Sequence, residues 1–239
     1  MDIPMNKEQY ANFWKPESED FNSNNTYETL SKLIPSGKVL EIGCGVGLGT
    51  YYLSQNHEVL SLDNNQFLIS QAKSHLDAEA SKYQIHQCEL FELTDDDKNL
   101  IHQFKPNIIV GWFLGADGET VNKYTQEEQT INNKGKLYRE KLEDIIVSND
   151  LLIDSVETIN LVMRVGRLKN ATKKDIYIAQ KEDYDTHVFK KVGFEVVSVE
   201  VIDWNMTNSN FRYSSNENSH ISKNDVIPTI ISITARRRK

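Results

Sequence analysis

Short apolar runs alternate with stripes of helical period along most of this chain from residue 38 onward. Lys38 to Ile42 is an apolar run that leads into glycines, the expected shape of a buried parallel strand. Glu58 to Leu62 reads as a second strand ending at Asp63, and Tyr83 to Cys88 as a third. Asn107 to Phe113 is the fourth and has the most apolar core. Leu151 to Val156, Phe194 to Ile202 and Val226 to Thr234 complete a predicted set of seven. Helices are predicted between them at Leu48 to Gln55, Gln66 to Ala80, Asp96 to Phe104, Leu137 to Val147 and Tyr184 to Val192. Ile176-Tyr177-Ile178 reads as a short extra strand.

Residues 1–37 form a predicted helical extension. Tyr10, Phe13 and Trp14 lie at helical spacing, Pro16 is expected to end that segment, and a second helix covers Tyr27 to Leu33. Two polar insertions interrupt the pattern, Gly115 to Lys136 and Asn205 to Asp225. Strands alternating with helices imply an α/β fold, a mostly parallel sheet with helices on both faces. No helix separates the last two strands, so they are expected to pair as an antiparallel hairpin at one edge. We read residues 1–239 as a single domain.

Composition narrows the function classes. Charged residues make up 26% and hydrophobic ones 38% of the chain, an ordinary globular balance. With 27 basic and 35 acidic residues the net charge is −8, which does not indicate a fold-wide basic face for nucleic acid. The Arg236-Arg237-Arg238-Lys239 tail reads as a solvated end. Two cysteines cannot form a disulfide framework, and no apolar run approaches the ~20 residues that span a bilayer. A soluble, cytoplasmic protein with no membrane partner is the expectation. The six histidines show no metal-ligand spacing. His86 and Cys88 share one face of a strand but lack further partners, so no metal site is expected.

Four of the 11 glycines, Gly43, Gly45, Gly47 and Gly49, fall within seven residues directly after the first strand. Glycine there lets the backbone turn sharply and approach a ligand closely. Dinucleotide sites use G-x-G-x-x-G, but Leu48 or Thr50 stands at the third glycine position here. No Gly-Lys-Ser/Thr of a Walker loop follows. The spacing is G-x-G-x-G, preceded by an acid at Glu41.

With these residues the chain resembles the class I S-adenosylmethionine-dependent methyltransferases, over roughly residues 38 to 202. The resemblance implies a Rossmann-like seven-stranded sheet, mostly parallel with the last strand antiparallel. It implies S-adenosylmethionine as cofactor, held by Glu41, Gly43, Cys44, Gly45 and Gly47 of the first motif. Asp63, with Asn64 beside it, matches the acid that accepts the ribose hydroxyls. Glu89 matches the acid that takes the adenine amino group, with Leu90 packing on the ring. Gly111 and Trp112 stand where the fourth motif lies; Asn107 replaces the Asp that usually opens it, and Gly111-Trp112-Phe113-Leu114 replaces the Asp/Asn-Pro-Pro-Tyr/Phe signature of many amino-group methyltransferases. Phe189 to Glu195 resembles the passage into the family's sixth strand.

Methyl transfer from a sulfonium is an in-line displacement on an activated donor, so alignment supplies most of the catalysis. A general base is needed only for a protonated acceptor, and no catalytic residue is implied. Asp117 and Glu119 are candidates to orient or deprotonate an acceptor, Tyr10, Phe13 and Trp14 to form a lid, and Phe211-Arg212-Tyr213 to meet substrate. Cys44 and Cys88 read as small buried fillers. A small-molecule acceptor is favoured, with a protein acceptor second and nucleic acid disfavoured. A non-catalytic cofactor-binding module and an NAD-dependent oxidoreductase are the competing classes.

Overall fold

A computed structural model describes residues 4–76, 82–128, 130–209 and 225–238, with the side chains at 131 and 132 excepted. Seven strands form one sheet in the order β3-β2-β1-β4-β5-β7-β6. They are β1 (Lys38–Ile42), β2 (Glu58–Asp63), β3 (Tyr83–Gln87), β4 (Ile108–Trp112), β5 (Thr158–Leu168), β6 (Phe194–Asp203) and β7 (Val226–Arg237). The first five run parallel, and β7 lies antiparallel between β5 and β6. The last two strands pair antiparallel at one edge of the sheet as expected, with β6 outermost.

Side-chain alternation assigns each face its helices. Val39, Val59, Ile108, Val110 and Val162 pack with α1 (Lys7–Ser23), α2 (Thr26–Ser31), α3 (Leu48–Ser54) and α4 (Gln66–His75). Their neighbours Leu40, Leu60, Ile109, Ile159 and Leu161 pack on the opposite face. There they meet α5 (Asp95–Phe104), α7 (Ile131–Ile146) and α8 (Lys173–Tyr184) through Ile101, Ile146 and Tyr184. Hydrophobic burial on both faces explains why the central strands read as mostly apolar, with Glu41 and Ser61 as buried polar exceptions.

Five expectations need correction. Pro16 does not end the first helix, which continues to Ser23. Pro16 and Asn12 are both exposed, so the carbonyl deprived of its helical donor lies on the solvent side, where water can serve it. Leu151 to Val156 is not a strand: Leu151 and Val156 are buried turn residues, and β5 starts only at Thr158. Ile176-Tyr177-Ile178 belongs to α8, which opens with a reciprocal Thr172–Asp175 capping box. The polar stretch from Gly115 contains α6 (Gly118–Tyr124) and the start of α7. The expected helix from Tyr184 to Val192 instead continues α8 as one π turn and one 3-10 turn. Phe211-Arg212-Tyr213, with most of the second polar insertion, lies outside the described residues.

Candidate functional site

The parallel register brings the ends of β1, β2 and β4 side by side. Ile42 is level with Leu62 on one side and Gly111 on the other, and the Gly43 N–H donates to the Leu62 carbonyl at 2.7 Å. The turn that follows closes by a 2.9 Å bond from the Gly47 N–H to the Cys44 carbonyl. Gly43 and Gly45 both have left-handed backbone, with φ of +82° and +51°. A Cβ at Gly43 would meet nothing within 4 Å, while one at Gly45 would lie 2.8 Å from Trp14 Nε1. Gly47 is left-handed too, at φ +89°, and also serves packing: a Cβ there would stand 2.9 Å from the Ala72 Cα of α4.

Asp63 ends β2 against this turn. Its Oδ1 accepts the Asn65 N–H at 2.8 Å, and its Oδ2 accepts the Gly45 N–H at 3.2 Å and the Cys44 thiol at 3.5 Å. Burial pushes the Asp63 carboxyl above the ordinary range, and these donors pull it back. Beyond β3, Glu89 accepts from Asn64 Nδ2 at 2.8 Å. Glu41 is buried beneath the turn, where its carboxylate accepts from Thr50 Oγ1 at 2.6 Å and from Ser61 Oγ. Desolvation raises its pKa to about 7 against the opposing pull of those two hydroxyls.

These groups open onto one cavity of about 80 Å³. Of the residues expected to hold cofactor, Glu41, Gly43, Cys44, Gly45, Asp63, Asn64, Glu89, Leu90 and Trp112 line it. Gly47 and Gly111 do not; Gly111 packs against Leu114, Leu161 and Ile146. Tyr10 and Trp14 form part of the wall, as a lid would, whereas Phe13 does not reach it. Asp117 lines the cavity, but both its oxygens cap α6, accepting from the Thr120 N–H at 2.9 Å and Thr120 Oγ1 at 2.7 Å. Asp117 thus has a structural role at the cavity wall, and Glu119 lies off the cavity altogether.

Sequence reasoning did not find Tyr27, Phe113, Tyr138 and Leu142, which also line the cavity. The last two are four residues apart on α7 and share one helix face, which was the available signal. Phe113 carries a left-handed backbone, φ +57°, uncommon for a bulky residue. It is held there by stacking on Phe21, with centroids 4.4 Å apart and planes at 8°. Trp112 is fixed by a 2.8 Å bond from Nε1 to Asn160 Oδ1.

Lys7 fastens α1 across the site. Its Nζ donates to the Asn64 carbonyl at 2.7 Å, and Asn65 Nδ2 donates to the Lys7 carbonyl at 2.8 Å. The Met5 carbonyl accepts from the Gly118 N–H at 2.8 Å, tying the segment before α1 to α6. Among the described residues, no helix is long and apolar enough to cross a membrane.

No family profile and no curated protein matches the chain. Solved structures do. The cyclase SpnF matches 100% of this chain and 98% of its own length at 10% identity, with a TM-score of 0.55. A proposed methyltransferase from Haloferax volcanii, solved with the Trm112 methyltransferase activator, matches over the whole of both chains at 9% identity, with a TM-score of 0.53. A proposed RNA methyltransferase from Pyrococcus horikoshii matches 91% of this chain and 84% of its own at 11% identity, with a TM-score of 0.50. Against the larger EvdMO1, the chain spans 40% of the partner's length. With its sheet order and these neighbours, the chain has the Rossmann-like fold of the class I S-adenosylmethionine-dependent methyltransferases.

Proposed function

We propose that the chain binds S-adenosylmethionine in this cavity and transfers its methyl group to a small molecule. The observation that carries the reading is the convergence of the glycine turn, Asp63 and Glu89 on one cavity at the carboxyl edge of parallel strands. Such an edge is where open α/β sheets bind ligands. The residues fit the cofactor: the open space beside Gly43 admits its amino-acid part, and the buried carboxylates suit its cationic and hydroxyl groups. Asp63 and Asn64 would hold the ribose, with Glu89 and Leu90 at the adenine. Glu41, Cys44 and Gly45 would line the amino-acid end, and Trp112 the wall opposite. At about 80 Å³ the cavity is smaller than the ~300–1,000 Å³ of typical small-ligand pockets, so its wall would have to widen to admit the cofactor.

Aromatic groups dominate the remaining wall, and no Lys or Arg lines it among the described residues. That disfavours a phosphate-rich acceptor such as nucleic acid. The Tyr10 and Tyr138 hydroxyls have no hydrogen-bond partner among the described residues, and burial raises the pKa of both. They stay protonated and are available to orient a polar atom of the acceptor. Protein is the second acceptor class. We assign the whole chain, 1–239, to one methyltransferase domain in which residues 1–37 close the site, and place it in the cytoplasm. Two free cysteines accord with a reducing compartment.

Fold alone does not establish chemistry; the neighbour SpnF is named a cyclase. The test is calorimetric titration with S-adenosylhomocysteine and, separately, NAD, followed by incubation of a cell extract with methyl-labelled donor. Binding of the first ligand alone, with label in the small-molecule fraction, is expected. Label in protein would move the acceptor to the second class. Binding without transfer would leave a cofactor-binding module, and binding of NAD alone would overturn the assignment.

A further inference from the structure

On the face of the sheet that packs against α5, β3 and the residue just after it bring together an imidazole and a thiol, and α5 adds a carboxylate. His86 and Cys88 are two residues apart on an extended segment, so both side chains point to the same side. Asp97 reaches them from the first turn of α5. One ligand atom from each of the three lies within 4.8 Å of the others. His86 Nε2 and Asp97 Oδ1 are 2.5 Å apart. Cys88 is buried at 7% exposure, whereas the His86 side chain keeps 30%, which leaves a route from solvent.

We propose that His86, Cys88 and Asp97 form a binding site for a zinc ion, independent of the cofactor cavity. Nitrogen, sulfur and carboxylate donors together suit this borderline-soft cation, and three protein ligands leave the fourth tetrahedral position to water. The carboxylate is already oriented. Asp97 Oδ2 accepts the Thr94 N–H at 2.8 Å and Thr94 Oγ1 at 2.7 Å, which turns Oδ1 toward the imidazole. An entering ion replaces the His86–Asp97 hydrogen bond with two metal bonds. The Cys88 thiol loses its proton to solvent as the metal–sulfur bond forms. No electron transfer is involved.

Occupancy has a structural consequence for the cavity nearby. The Cys88 N–H donates to the Asp63 carbonyl at 3.0 Å, and the next residue is Glu89. A metal would anchor this backbone to α5 and stiffen the support of two acidic cavity residues.

The experiment is titration of the full chain, stripped of metal by chelator, with cobalt(II). Its thiolate complexes absorb in the near ultraviolet by sulfur-to-metal charge transfer, and tetrahedral ones absorb strongly in the visible. One equivalent is expected to bind with both bands, and zinc to displace it. The chain has two cysteines, so the sulfur band must come from one of them. It is expected to vanish in Cys88→Ser and persist in Cys44→Ser. His86→Gln should weaken the visible band, and Thr94→Ala should lower zinc affinity about 10–100-fold. Absence of the sulfur band in the unaltered chain, or its survival in Cys88→Ser, overturns the site.

Discussion

Trp14 covers Gly45: the indole nitrogen lies 2.8 Å from where a Cβ at residue 45 would stand. A helix from the N-terminal extension and the turn after the first strand are thus fitted to each other without room for one carbon. Gly45→Val should displace the indole and strain the turn, left-handed backbone costing an L-residue about 1–2 kcal/mol. The expected result is loss of S-adenosylhomocysteine binding in calorimetry with the fold retained by circular dichroism. A dissociation constant equal to that of the unaltered chain would contradict the assigned role of the turn.

Asp63 serves the turn and the proposed ribose contact at once. Asp63→Ala should weaken cofactor binding by about 1–3 kcal/mol, the scale for leaving polar partners unsatisfied. It should also lower the melting temperature, because the Gly45 and Asn65 N–H groups lose their acceptor. A variant that melts earlier yet binds unchanged would restrict Asp63 to structure.

Glu41 makes stability depend on pH. Its pKa rises from 4.5 to about 7 on folding, so between these values the native chain binds more protons than the unfolded one. Its contribution is present below pH 4.5 and is lost as pH rises through about 7. The shift corresponds to a loss on the order of 3 kcal/mol across that interval. Urea midpoints measured from pH 4 to 8 should fall less steeply in Glu41→Gln. An identical slope in the two proteins would show that Glu41 ionises normally.

Pro16 interrupts the hydrogen bonding of α1 on its solvent side. Pro16→Ala restores a donor to that turn and should stabilise the fold by about 1–3 kcal/mol, proline being up to ~3 kcal/mol worse than alanine inside a helix. Thermal unfolding reads this directly, and an unchanged midpoint would mean the helix already accommodates the ring without cost.

The strands β1, β2 and β4 were legible because they are buried on both faces and therefore mostly apolar. Asp63 and Glu89 could be placed by counting from strand ends, since parallel register puts those ends at one edge. β5 was misplaced for a physical reason. Its buried Asn160 breaks the apolar run, yet it is satisfied by Trp112, Ser232 and Thr234 at 2.8–3.0 Å. Partners from β4 and β7 are invisible along the sequence. The aromatic wall was equally hidden, since Tyr27, Phe113 and Tyr138 come from three separate segments. By contrast, the Thr172–Asp175 pair was a usable local signal for α8.

The position of β7 fixes when the sheet can be finished. Residues 226–237 pair with β5 along eleven register positions and with β6 on the other side. Before they leave the ribosome, β5 exposes one row of backbone donors and acceptors, and β6 has no strand to join. Half-made chains are thus prone to wrong pairing at that row. Deleting residues 226–237 would cast off two strands for the loss of one.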